Sequence, residues 1–145
     1  MRKLSLLFML LLFISGFLSA EGDPAAYLGF DLATLWNTCG VPTEVFPLRG
    51  DEPWQDDLVF RYGEDYSLFL FQNRVWQVRV RSQGTLAGVS IGEPVDSLEE
   101  LLGEPFGETE DSLVFNLPDS GFPVRLRVLV KDGVVVDLYL YRADF

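Results

Sequence analysis

Two segments of this chain align without a gap at a constant offset of 63 residues: Gly29 falls on Gly92, Gly40 on Gly103 and Pro42 on Pro105. The positions between them agree in character, with Leu28 on Ile91, Thr34 on Ser97, Leu35 on Leu98 and Cys39 on Leu102. Downstream, the run ending at Phe60 answers the run ending at Phe115, and the turn at Asn73-Arg74 answers Asp132-Gly133. A duplication of this kind predicts two like units packed side by side, so the repeat is read before any local motif.

Each copy opens with a short helix, expected over residues 31–39 and 94–102. In the second, Pro94 suits a first helical turn, Asp96, Glu99 and Glu100 suit the positive end of the helix dipole, and Val95, Leu98, Leu101 and Leu102 recur at helical spacing. Gly40 and Gly103 end the helices, and Pro42 and Pro105 prevent their resumption. Three strands follow in each copy, over 58–62, 66–71 and 75–81, then over 112–117, 123–130 and 134–141. Turn residues separate them, so each trio reads as an antiparallel meander.

The sequence therefore predicts an α+β fold of two tandem α-β-β-β modules, each a helix packed on a three-strand antiparallel meander. The modules span 28–82 and 91–145, with linkers at 21–27 and 83–90. Residues 43–54 have no counterpart in the second copy and are expected to form an inserted loop. Phe46, Leu48 and Trp54 alternate there with prolines and charges, so the loop is expected to fold over the end of its own core, with insertion into a partner's cleft as the alternative that makes Trp54 a candidate partner contact. Arg49-Gly50-Asp51 spells an integrin-type tripeptide, which chance recurrence of three common residues explains.

Residues 1–20 read as a secretory signal peptide: Arg2 and Lys3, an apolar run from Leu4 to Ile14, then mostly small residues. The run is short for a bilayer span. Cleavage is expected after Ala20, with the bond after Gly22 as a second site and a retained anchor as the alternative. No cysteine follows the run, so no stable membrane anchor is expected after cleavage, and the protein is placed in the periplasm or secreted. Loss of Arg2 and Lys3 takes the formal charge from −11 to −13. Such a surface repels nucleic acid, which is excluded as a partner. Cys39 is the single cysteine, so no internal disulfide forms; at a helix C-terminus its thiolate is disfavoured, and an inert buried thiol is expected.

Ile91-Gly92, Leu98, Leu101-Leu102-Gly103 and Pro105 make up an Ile-Gly, helix and Leu-Gly-x-Pro pattern ahead of a three-strand meander. This resembles the BamE/SmpA-like family, the small periplasm-facing subunit of the outer-membrane β-barrel assembly machinery. Two such modules in tandem also look like the secreted β-lactamase-inhibitor proteins, whose sheets form a concave face that grips a target. The resemblance implies a protein-binding role in the cell envelope.

Strand alternation then sorts the side chains. On 75–81, Trp76, Val78 and Val80 are expected to face the core and Gln77, Arg79 and Arg81 to face outward. On 134–141 the corresponding sets are Val136, Leu138 and Leu140 against Asp137, Tyr139 and Tyr141. Arg125 and Arg127 alternate with the apolar Val124, Leu126, Val128 and Val130. Arginine and tyrosine anchor protein interfaces because they join large apolar area to directional hydrogen bonds. Arg79, Arg81, Arg125, Arg127, Tyr139, Tyr141 and Trp54 are therefore the expected partner-binding residues, with a solvated sheet face as the alternative.

The chain contains no histidine, which removes the usual neutral-pH base and the commonest transition-metal ligand. No nucleophile–base motif or phosphate loop is present, and the carboxylate clusters at 56–57, 64–65 and 108–111 fall at turns. No catalytic residue, metal site or cofactor is expected. The expected function is non-enzymatic binding of a protein or peptide through the sheet face, as an envelope assembly or scaffold factor. The alternatives are an inhibitor of an extracytoplasmic enzyme and a carboxylate-pair hydrolase.

Overall fold

The structure, a computed structural model, describes residues 22–145; the expected signal peptide lies outside the described residues. After a single-turn 3-10 helix at Pro24–Tyr27, the elements in chain order are α1 (Leu32–Cys39), β1 (Glu44–Leu48), β2 (Asp57–Tyr62), β3 (Tyr66–Phe71), β4 (Arg74–Arg81), β5 (Thr85–Leu86), β6 (Val89–Ser90), α2 (Leu98–Leu102), β7 (Gly107–Glu108), β8 (Ser112–Leu117), β9 (Val124–Lys131) and β10 (Val134–Arg142). Eight of these strands make one sheet in the order β1-β2-β3-β4-β10-β9-β8-β7, antiparallel throughout.

That sheet overturns the expected α+β pair of helix-on-meander modules. β4 and β10 pair directly, with Val80 opposite Leu138, Arg79 opposite Tyr139 and Val78 opposite Leu140, so the two meanders merge edge to edge. An unpaired strand edge carries a row of unmet backbone donors and acceptors. Joining the two edges satisfies both and leaves a mostly β protein with helices of only eight and five residues.

Local chemistry accounts for the helix ends. The Asp31 carboxylate caps α1 by accepting from the Thr34 N–H at 2.8 Å, and that backbone bond holds its pKa below the usual carboxylate value. Gly40 and Gly103 take positive φ at the two helix C-caps. The turns between β3 and β4 and between β9 and β10 place Gln72-Asn73 and Asp132-Gly133 at positive φ, the mirror-image turn whose twist suits a two-residue hairpin. Glu44–Leu48, expected within a loop, instead forms the edge strand, with Pro47 opposite Leu58. Proline is tolerated there because an edge residue need not donate outward. Residues 83–90, expected as a linker, contain the β5–β6 hairpin.

The main core cluster lies on one face of the sheet. A single cluster joins Leu68, Leu70, Val78, Val80, Leu126, Val128, Leu138 and Leu140 from the sheet to Leu35 of α1, Leu98 of α2, and Leu86 and Val89 of the small hairpin. Full burial of each such side chain contributes roughly 1.5–3 kcal/mol. Cys39, expected to be buried, is half-buried at the end of α1 and packs against this cluster. Nearby Tyr62 and Tyr66 stack at 5.3 Å, and burial pushes the Tyr62 phenol up to about 12. Among the described residues no helix is long and apolar enough to cross a membrane.

Two β-bulges correct the expected alternation. Opposite β3 the register jumps from Gln77 to Val75, and opposite β9 it jumps in the same way from Asp137 to Val135. Val75 and Val135 are therefore the buried residues, in place of Trp76 and Val136, which are only half-buried. The valine just before each extra residue is met by the segment leading into a helix. Val75 exchanges backbone bonds of 2.8 Å with Gly29 and Phe30, and Val135 does so at 2.8 and 2.9 Å with Gly92 and Glu93.

Both glycines take positive φ, +87° at Gly29 and +86° at Gly92. They differ in space: a Cβ at Gly29 would sit 2.8 Å from the Phe122 ring, whereas at Gly92 nothing lies within 4 Å. Gly92→Ala should cost about 1 kcal/mol for the left-handed backbone alone, and Gly29→Ala about 2 kcal/mol because the ring must also move. Urea midpoints of the two variants measure the difference, and equal losses would contradict the packing at Phe122.

Candidate binding surface

Among the described residues no helix covers the face of the sheet opposite the core, and its composition follows from the register. One cross-strand row reads Glu44, Arg61, Ser67, Arg79, Tyr139, Arg127 and Val114; the next reads Phe46, Val59, Phe69, Gln77, Tyr141, Arg125 and Asn116. Arg81 and Asp137 are directly opposed in a third row. Six of the seven expected site residues, Arg79, Arg81, Arg125, Arg127, Tyr139 and Tyr141, thus share this face. Trp54 stands apart from them at the end of the face, in the 3-10 turn Pro53–Gln55, beside Phe71, Trp76 and Phe145.

The arginines are not equivalent. Arg79 is held in a two-pronged pair with Asp137, at 2.6 Å from Nη2 and 3.1 Å from Nε, and Asp137 is only 6% exposed. The Tyr139 hydroxyl donates to the same carboxylate at 3.4 Å, and the guanidinium lies 4.9 Å from the centre of the Tyr139 ring. Hydrogen bonding to Asp137 raises the Arg79 pKa, and burial raises that of the Tyr139 phenol. Arg79 is in consequence an internal strut of the face. Arg125 donates to the Asn116 side chain at 3.1 Å and packs over Phe106, while Arg61 pairs with Glu44 at 2.7 Å and lies over Phe46.

Arg81 and Arg127 are different. Both are exposed, and among the described residues neither has a carboxylate within ion-pair distance. Their charge is free to meet a ligand. Asp137 therefore serves the face by neutralising one arginine, a role that its expected place among outward-facing polar residues did not reveal.

A shallow cavity of about 180 Å³ opens on this surface between β1 and β4. Val59 and Phe69, 1% and 8% exposed, are among its lining residues. Phe46 and Leu48 border it on one side; Arg61, Arg79 and Arg81 supply its cations, and Glu64 and Asp65 its carboxylates. Phe46, Val59, Arg61 and Phe69 were not among the expected site residues. For Phe69 the sequence signal is the run Tyr66–Phe71, apolar at nearly every position, since a strand without alternation presents apolar side chains on both faces. Among the described residues no group of three or more His, Cys, Asp or Glu side chains is placed to hold a metal ion.

No protein-family model matches the chain, and no curated protein matches it. Among solved structures, the fold is similar to that of an extracellular protein containing an SCP domain from Bacillus anthracis str. Ames, at 10% identity and a TM-score of 0.60, over 86% of this chain and 47% of that one. A cysteine-rich secretory protein from Staphylococcus aureus subsp. aureus Mu50 is also similar, at 12% identity and a TM-score of 0.53, over 82% of this chain and 46% of that one. The chain spans about half the length of the proteins it matches, and at such identity the likeness is one of fold. These neighbours overturn the resemblance to the BamE/SmpA-like and β-lactamase-inhibitor-like proteins, in keeping with one continuous sheet in place of two modules.

Proposed function

We propose that this chain is a non-enzymatic binding module working outside the cytoplasm, in the periplasm or secreted, that holds an acidic protein or peptide segment on its uncovered sheet face. The observation that carries this reading is the pair of exposed arginines, Arg81 and Arg127, left without acidic partners among the described residues in a chain of net charge −11. With so many carboxylates available, unpaired cations gathered on one rigid surface select for anions from elsewhere. Phe46, Leu48, Val59 and Phe69, on the side of the cavity away from Glu64 and Asp65, give the same ligand somewhere to place an uncharged side chain. The signal-like start of the sequence supports an extracytoplasmic setting, as does the description of the two structural neighbours as extracellular and secretory.

A fluorescent peptide alternating Glu with Val and Phe tests the reading. It should bind the wild type, weaken as salt rises, and lose affinity by about tenfold or more in the Arg81→Glu/Arg127→Glu double variant. Neither side chain pairs with an acid in the structure, so the variant should keep the wild-type circular dichroism spectrum. Unchanged affinity in the variant, or equal binding of a Lys-for-Glu version of the peptide, would refute the proposal.

A further inference from the structure

At the end of the same face, away from the unpaired arginines, lies an apolar pocket of about 350 Å³ lined by Trp54, Gln55, Asp57, Phe71, Trp76 and Phe145. The β4 bulge creates it, because the extra residue puts the Trp76 indole on this side of the sheet, where its Nε1 donates to Asp57 Oδ1 at 3.0 Å. Phe145 lies nearly parallel to Trp76 at 6.5 Å and meets Phe71 edge-on at 6.2 Å. The turn bearing Trp54 is braced: the Gln55 side chain accepts from the Glu52 N–H at 3.0 Å, and Asp56 accepts from Arg49 and from the Gly50 N–H. Trp54 itself is 66% exposed, an unusual position for so large an apolar ring on so well-braced a turn.

The charge around the pocket is mainly acidic: on its Phe145 wall Arg142 lies over the ring at 4.6 Å but is paired with Asp144 at 2.8 Å. Residues 49–57 carry four carboxylates, Asp51, Glu52, Asp56 and Asp57, against the single cation Arg49, which Asp56 engages. Asp57 is partly desolvated by the aromatic wall, which raises its pKa despite the Trp76 hydrogen bond. Its second oxygen has no hydrogen-bond partner among the described residues. A purely apolar ligand would strip water from that carboxylate and return nothing, and an anion would be repelled. A hard metal ion needs several oxygen ligands, where this wall is aromatic. A cation with an apolar shell meets both demands, since ring faces and a carboxylate attract it together.

We infer that the Trp54–Trp76–Asp57 pocket binds an organic ammonium cation of the trimethylammonium type. Its acceptor group is Asp57, its aromatic walls are Trp54 and Trp76, and it works independently of the arginine-bearing surface. Choline is the probe, followed by tryptophan fluorescence and by the indole N–H resonance of Trp76. Saturable binding is expected, weakened about tenfold or more in Asp57→Asn, which keeps an oxygen for the Trp76 bond, and in Trp54→Ala, which removes an exposed ring. The neutral isostere 3,3-dimethylbutan-1-ol should bind about tenfold more weakly than choline. The inference is overturned if choline gives no saturable shift up to about 100 mM, if the neutral isostere or methyl β-glucoside binds as tightly, or if Asp57→Asn binds choline like the wild type. Arg81→Glu/Arg127→Glu should bind choline normally, which separates failure of this site from failure of the peptide surface.

Discussion

Replacing Phe115 by alanine should lower stability by about 3–5 kcal/mol, and tryptophans in the other half of the molecule should report the whole loss. Phe115 is 1% exposed on β8, opposite Leu126 of β9. The three tryptophans, Trp36, Trp54 and Trp76, all precede β5 in the chain. A continuous sheet with one core makes the two ends a single cooperative unit. With a urea slope of about 2 kcal/mol per molar, the midpoint should fall by about 2 M, identically by fluorescence and by far-ultraviolet circular dichroism. Independent modules would behave otherwise: the fluorescence midpoint would stay put while dichroism showed an earlier transition. That outcome would contradict the shared core built around the β4–β10 pairing.

The six long strands β2, β3, β4, β8, β9 and β10 were legible because their signals are local, whereas β1 and the short β5, β6 and β7 were not. Helix α1 announces itself through the Asp31 cap and the Gly40 stop, and the hairpins through Asn73 and Asp132-Gly133, residues that accept a left-handed backbone. What joins the strands is not local. Nothing in the residues of β4 or β10 marks which neighbour will take each strand's free edge, so the pairing of Val80 with Leu138 was not apparent. The bulges hid the faces in a second way: strict alternation sends Trp76 and Val136 inward, and one extra residue reverses that assignment while leaving Val78, Val80, Leu138 and Leu140 where alternation puts them. At the candidate site, the outward arginines followed from period two alone. The division into a tethered Arg79 and unpaired Arg81 and Arg127 required the register across the β4–β10 junction, because it depends on Asp137, 58 residues from Arg79 in sequence.

Asp137→Ala should separate stability from binding. The carboxylate is almost fully buried and takes both prongs of Arg79 together with the Tyr139 hydroxyl. Removing one partner of a buried ion pair leaves the other charge uncompensated, a loss of roughly 3–5 kcal/mol when burial is complete. The Arg79 side chain keeps 28% of its exposure, so water recovers part of that, and about 2–3 kcal/mol is expected. Combining Asp137→Ala with Arg79→Leu should restore most of the stability, because the orphaned guanidinium is then gone; double-mutant denaturation measures this directly. The single variant also converts a strut into a third unpaired cation on the face. Affinity for the Glu-bearing peptide should therefore rise as stability falls, a pairing that general damage to the fold would not produce. Weaker peptide binding in a folded Asp137→Ala protein would mean that the Arg79–Asp137 pair shapes the surface the peptide recognises, and that free positive charge alone is not the attractant.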